Sequence, residues 1–383
     1  MYFEVGAAAT SGHGWLTRAE RPSHRIRGSV EGQVQLRVTF IYAQPRQALL
    51  EQIAAGLAPD HPLLGQRHLG EFGIEADVYD PRLSRRHWRS RAANWLAWYG
   101  RELTLPWELP RVDAVCTVLP TLFPLAARLR SQPVCLLNGA LCNTLARASP
   151  ARRRLQIASL RATSAIVCHA TANRERLLAQ TGLGGDRVHT ATLGVDVSFF
   201  SPPSGTSEGD YVLAVGFDVA RDYATFADAM NELPYRTIIV ARPRNLEGIS
   251  LPSNAEVLHD PPFVDLRELY AGARCVVIPI RHEDYPFGGD PSGVTSLLEA
   301  MAMAKPVIVS ERRIWRDYVV DGESARIVPA EDAPRLREVI RETFEDGSLR
   351  KALGEAALET VRERHTSRQM SERMAAILQS TGR

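Results

Sequence analysis

Short apolar runs alternate with amphipathic stretches along most of this chain. Residues 35–43 (QLRVTFIYA), 75–79, 114–119, 133–137, 165–168 and 188–193 read as strands, with helices over 46–57 and 173–180. Alternation of this kind predicts a parallel sheet with crossover helices. Residues 201–209 (SPPSGTSEG) hold nothing large and apolar and read as a linker. The pattern then restarts, with strands over 211–215, 237–241, 255–258, 275–280 and 306–309. Helices are predicted there over 223–230, 265–271, 294–303, 333–344 and 348–364. Residues 1–34 show no periodicity and read as a loose arm. The predicted division is therefore an arm (1–34), an α/β domain (35–200), the linker, a second α/β domain (210–365) and a last helix (366–383) able to return to the first domain. Two such domains predict a cleft between them, and α/β folds bind ligands at the carboxyl ends of their strands.

Composition narrows the chemistry. Of 383 residues 44 are arginine and two are lysine, Lys305 and Lys351. Neither lysine follows glycine and precedes Ser or Thr, which excludes a P-loop NTPase. Neither stands in an apolar pocket sequence, which argues against Schiff-base catalysis. Any anion site must then use arginine, which grips phosphate in a bidentate way, or backbone amides. The five cysteines form no Cys-x-x-Cys pair, so buried thiols in a reducing compartment are expected. The sequence shows no secretory signal and no run long enough to span a bilayer, which predicts a cytoplasmic location. No spacing of ligands indicates a metal, and none is expected.

The net charge of +2 conceals an asymmetry. Residues 1–203 hold 24 arginines against 15 acids (+9), and residues 204–383 hold 22 basic against 29 acidic residues (−7). The basic half implies an anionic partner. It carries no nucleic-acid-binding motif, so nucleic acid is not expected. Residues 84–105 set Arg85, Arg86, Arg89 and Arg91 among Trp88, Trp95, Trp98 and Tyr99. That mixture suits either a peripheral contact with an anionic membrane or a helix packed on its own sheet.

In the acidic half, the Ser292-Gly293-Val294-Thr295 turn opens an amphipathic helix, offering hydroxyls and free amides to an anion. Glu299 follows Ser292 by seven residues, about two helical turns. Arg221 is the only cation in the run after the strand that ends at Gly216. The alternative for Ser292 and Thr295 is simple helix capping, and for Arg221 a surface ion pair with Asp218 or Asp222.

Several segments together resemble a known family. They are LGVDVSFFSP (193–202), YVLAVG (211–216), LYAGARCVVIP (269–279), SGVTSLLEAMAMAKPVI (292–308) and DYVVDG (317–322). The chain is similar to the retaining glycosyltransferases of family 4, strongly over 185–375 and weakly over its first 150 residues. The resemblance implies the GT-B form of the α/β class: two Rossmann-like domains with parallel sheets facing an interdomain cleft. It implies transfer of a sugar from a nucleotide diphosphate sugar with retention of configuration, the nucleotide-sugar being a co-substrate and no other cofactor being needed. Glu299 would hold the ribose, and Gly216, Arg221 and the amides of Gly293, Val294 and Thr295 the diphosphate. Phe263 and Val264 are assigned to the base by position alone.

Three departures from the family stand out. Pro291 occupies the place of the family's first motif glutamate, leaving Glu283 or Asp290 as its replacement. The diphosphate lysine is absent, leaving Arg221. Where many relatives have a histidine near the reacting carbon, this chain has Asn138, and His169 ends another strand. An amide cannot act as a base near neutral pH. The acceptor is unidentified; an anionic or lipid-linked molecule suits the basic half. Two other readings share the fold: a nucleotide-sugar epimerase, and a binding or partner subunit without catalysis.

Overall fold

The computed structural model describes residues 36–80, 91–202 and 209–381, with backbone alone for 91–98. The expected arm, most of the linker and the Trp88 end of the 84–105 stretch lie outside the described residues.

Two parallel six-stranded sheets organise the molecule. The first contains β1 (Leu36–Ile41), β2 (Ile74–Val78), β3 (Ala114–Thr117), β4 (Val134–Leu137), β5 (Ala165–Cys168) and β6 (Val188–Thr190), in the order β2-β1-β3-β4-β5-β6. Every residue of β3, β4 and β5 is buried, which is why these strands read as unbroken apolar runs. Around them lie α1 (Gln47–Ala54), α2 (Arg91–Glu108), α3 (Phe123–Leu129), α4 (Leu141–Ala146), α5 (Pro150–Arg161) and α6 (Thr171–Thr181). The apolar pattern did not reveal α3, α4 or α5. The first two are short, and α5 buries only Gln156, Ser159 and Leu160.

The second sheet contains β7 (Tyr211–Val215), β8 (Arg236–Val240), β9 (Ala255–Leu258), β10 (Ala273–Ile278), β11 (Val307–Ser310) and β12 (Arg326–Val328), in the order β12-β11-β10-β7-β8-β9. This is the doubly wound order, whose direction reverses between β7 and β10. Its helices are α7 (Tyr223–Asn231), α8 (Phe263–Gly272), α9 (Val294–Ala302), α10 (Ala333–Glu345) and α11 (Gly347–Arg364). Asp222, Asp332 and Asp346 cap α7, α10 and α11 by accepting amide hydrogen bonds in their first turns.

The chain crosses between the domains twice, near Val195 and Thr366, where the two segments form a parallel bridge. After the second crossing α12 (Ser367–Thr381) packs on the first domain. Met374, Ala375, Ile377 and Leu378 join the core that contains Phe40, Leu63 and Leu69. The Ser371 hydroxyl donates to Gly65 O at 2.7 Å, and Arg368 pairs with Glu71 at 2.7 Å.

Candidate functional site

At the switch between β7 and β10, the loop after β7 turns back so that Arg221 forms an antiparallel bridge with Ile280. Residues 279–280, expected to extend the strand, instead leave β10 to make this contact. The Arg221 side chain is buried. One Nη donates to Ser296 Oγ at 2.9 Å, while Nε and the other Nη have no hydrogen-bond partner among the described residues. Burying guanidinium hydrogens unmatched is costly unless an anion completes them. Gly216 lies directly beneath, and a Cβ there would collide with the guanidinium. Glycine at 216 is what lets Arg221 lie flat at the strand end.

Facing Arg221 is the start of α9. Gly293 has φ 92° in the left-handed region, and its Cα lies close against Ile280, Ile278 and Trp315. The amides of Gly293, Thr295 and Ser296 donate to no described residue. The Val294 amide is already used, donating to Pro291 O at 3.2 Å. Ser292 Oγ is buried without a partner. A buried arginine with two unmatched donor atoms thus faces a helix terminus with three free amides, the electrostatics of an anion site.

Glu299 is the sixth residue of α9 and is buried. Tyr270 of α8 donates its hydroxyl to one carboxylate oxygen at 2.9 Å, and His61 Nε2 of the first domain meets the other at 3.2 Å. The Asp196 amide donates to His61 Nδ1 at 3.5 Å, which leaves the Nε2 side of the ring facing Glu299. Burial beside Glu299 pushes the Tyr270 phenol well above its ordinary range, so it stays a donor. Phe263 opens α8, and with Val264 it packs partly buried against the second-domain core.

The remaining expected residues have other partners. Asp290 is buried, and its carboxylate accepts from Cys142 N at 2.8 Å and Asn143 N at 3.2 Å, capping α4 of the first domain. Glu283 accepts from Arg313 N at 3.1 Å and lies 3.4 Å from the Arg312 guanidinium. Asn138 is buried, its carbonyl accepting from Leu141 N at 2.8 Å and its amide lying 3.5 Å from Cys168 Sγ. His169 meets Ala191 O at 3.1 Å, and burial lowers its pKa to about 4, leaving it neutral.

Sequence reasoning missed His61, Tyr270 and Ser296 as contributors. Tyr270 stands inside a segment with a visible motif, but its direction toward Glu299 depends on how α8 packs. His61 lies in APDHPLLGQRH, a stretch with no periodicity and no motif. Asp317 and Tyr318 were also missed as interdomain contacts. Asp317 accepts from the Thr171 amide at 2.6 Å and its hydroxyl at 2.9 Å. The Tyr318 hydroxyl accepts from Leu193 N at 2.9 Å and donates to His169 O.

Two doubly wound domains, each built on a six-stranded parallel sheet, define the GT-B architecture. Residues 247–360, within the second domain, match the family model described as glycosyl transferases group 1. Among solved structures, the chain is similar to sucrose-phosphate synthase of Thermosynechococcus elongatus, with TM-score 0.67 and 14% identity over 90% of this chain and 99% of the other. It is also similar to Anabaena HepE solved with UDP and glucose, with TM-score 0.65 and 13% identity over 90% and 100% of the two chains. A curated relative, D-inositol 3-phosphate glycosyltransferase 1 of Catenulispora acidiphila, is 26% identical over 55% of this chain. The matched segment spans 56% of that relative's length. No described helix is long and apolar enough to cross a membrane.

Proposed function

We propose that the chain transfers a glycosyl unit from a nucleoside diphosphate sugar to an acceptor hydroxyl, with retention of configuration. The observation that carries this reading is the buried Arg221 guanidinium, with two unmatched donor atoms, opposite the amides of Gly293, Thr295 and Ser296. A diphosphate spanning that gap would satisfy both sides. As the sugar leaves, further negative charge builds on the outer phosphate, and preorganised donors stabilise that transition state more than the less charged ground state. Glu299 stands beyond the amides, where a ribose hydroxyl would take the place of His61 while Tyr270 holds the other oxygen.

No protein nucleophile is required, because the departing phosphate oxygen can accept the acceptor's proton. Asp290 and Glu283 support this economy: both are engaged in hydrogen bonds or ion pairs away from Arg221. The same commitments weigh against an epimerase, which needs acid and base groups at the sugar. HepE, solved with UDP and glucose, supports a uridine nucleotide as the first donor to test. The basic first domain favours an acceptor carrying phosphate or carboxylate, soluble or lipid-linked, with residues 84–105 as the place of any peripheral membrane contact.

Calorimetry with UDP and GDP tests the assignment. Arg221→Ala should weaken the preferred nucleotide at least thirtyfold, about 2 kcal/mol for lost charge-assisted hydrogen bonds. Equal affinity in variant and parent would sink the site. Silence of the parent toward every nucleotide sugar would leave a non-catalytic subunit as the better reading.

A further inference from the structure

At the other end of the first sheet the turns before β4 and β5 and the residue before β6 line an open surface cavity of about 350 Å³. Parallel strands place this cavity at their amino ends, whereas the carboxyl end of β4 leads to Asn138 and Gly139, beside Asp290. Arg128, Arg161 and Arg187 line it, together with Ser131, Thr163 and Ser164, and no Asp or Glu does. Arg187 is fixed in place, one Nη donating to Arg161 O at 2.6 Å. The side chains of Arg128 and Arg161 donate no hydrogen bond to a described residue and pair with no described acid. Three cations therefore share one concavity without a counter-charge, an arrangement that costs repulsion unless an anion joins them.

The loop between α3 and β4 is built to hold this shape. Ser131 has φ 54°, a left-handed conformation that a serine adopts only under constraint. Gln132 imposes it: buried, it exchanges two hydrogen bonds with the Val112 backbone, at 2.7 and 3.5 Å. Arg128 and Arg161 stand in the last turns of α3 and α5, where a cation complements the helix dipole. Arg187, which precedes β6, satisfies the C-terminal carbonyl of α5 with one Nη and turns into the same space.

We propose that this cavity is a second anion site, remote from Arg221, that takes a phosphate-bearing group. Guanidinium forks from three directions suit phosphoryl oxygens, and Ser131 and Ser164 add hydroxyl donors. Leu129, beside Arg128, is 79% exposed, so the phosphate can belong to a lipid headgroup as well as to a soluble molecule. The chemistry recognised is the same.

The test uses the full chain carrying Arg221→Ala, which silences the donor site. Inorganic pyrophosphate is titrated by calorimetry at low salt, and sedimentation is measured with phosphatidylcholine vesicles containing phosphatidylglycerol. Binding of pyrophosphate identifies a soluble source, and binding of vesicles alone a lipid source. In either case Arg128→Glu and Arg161→Glu, both at exposed positions, should weaken binding at least tenfold, while Arg341→Glu on α10 leaves it unchanged. The proposal fails if neither probe binds, if the two cavity variants bind like their parent, or if Arg341→Glu weakens binding as much as they do.

Discussion

Gly293 shows how much one residue decides at this site. Its backbone lies at φ 92°, and its missing Cβ leaves room for Ile280, Ile278 and Trp315. A side chain here would meet a left-handed penalty of about 1–2 kcal/mol and then push α9 away from the core. Gly293→Ala should therefore lower stability by more than about 1 kcal/mol and weaken nucleotide binding too, because the free amides move with the helix. Urea denaturation and calorimetry check both, and unchanged values would refute the role. Glu299 teaches the complementary point. Its identity and spacing marked it as a ligand residue, but its partners Tyr270 and His61 arrive from α8 and from the other domain.

Among the elements, α12 has the least conspicuous sequence and a large structural task. Most of its apolar positions pack against loop and strand residues of the first domain, while Met370 joins the core of the second. Met374 is fully buried there, and Gly65 lies so close that a Cβ would come within 3.2 Å of the Met374 side chain. Met374→Ala should destabilise the chain by about 2–5 kcal/mol through lost contacts and a cavity. A urea midpoint indistinguishable from the parent would show that α12 contributes nothing to the first domain. The helices α3, α4 and α5 illustrate the opposite case, since each is too short or too polar to announce itself by periodicity. They form because the strands beside them need a covering layer.

Over the whole molecule, a few polar contacts join the halves. Asp290 caps α4, Asp317 binds the first turn of α6, and Tyr318 bridges Leu193 and His169. His169 and, near the second crossing, His365 are buried, and each has its pKa lowered from 6.5 to about 4 by desolvation. Unfolded, both take up a proton below about pH 6.5; folded, they resist until near pH 4. The unfolded state thus binds more protons in that window, so stability is full above pH 6.5 and falls as the pH drops toward 4. The slope is up to about 1.4 kcal/mol per pH unit for each histidine. His169→Asn, which keeps a donor for Ala191 O, should flatten the decline in urea midpoint between pH 7 and 5 (roughly the upper part of that window). Parallel declines in variant and parent would rule out His169 as a source.

The chain's pattern of apolar runs was enough to specify two α/β units, most strands of both sheets and the helices of the second, because burial on both faces leaves a local signature. The Ser292–Thr295 turn and Glu299 stand out by their spacing along one helix, and Arg221 as the cation in the loop after β7. Tertiary structure alone determined which of the candidate acids stay clear of other partners. Asp290 and Glu283 look equivalent in sequence, yet one caps a helix of the opposite domain and the other joins two arginines. It also brought His61 to Glu299 across 238 positions of chain and drew three arginines around one cavity. Such contacts depend on how finished elements pack, and no local pattern of polar and apolar residues encodes that distance.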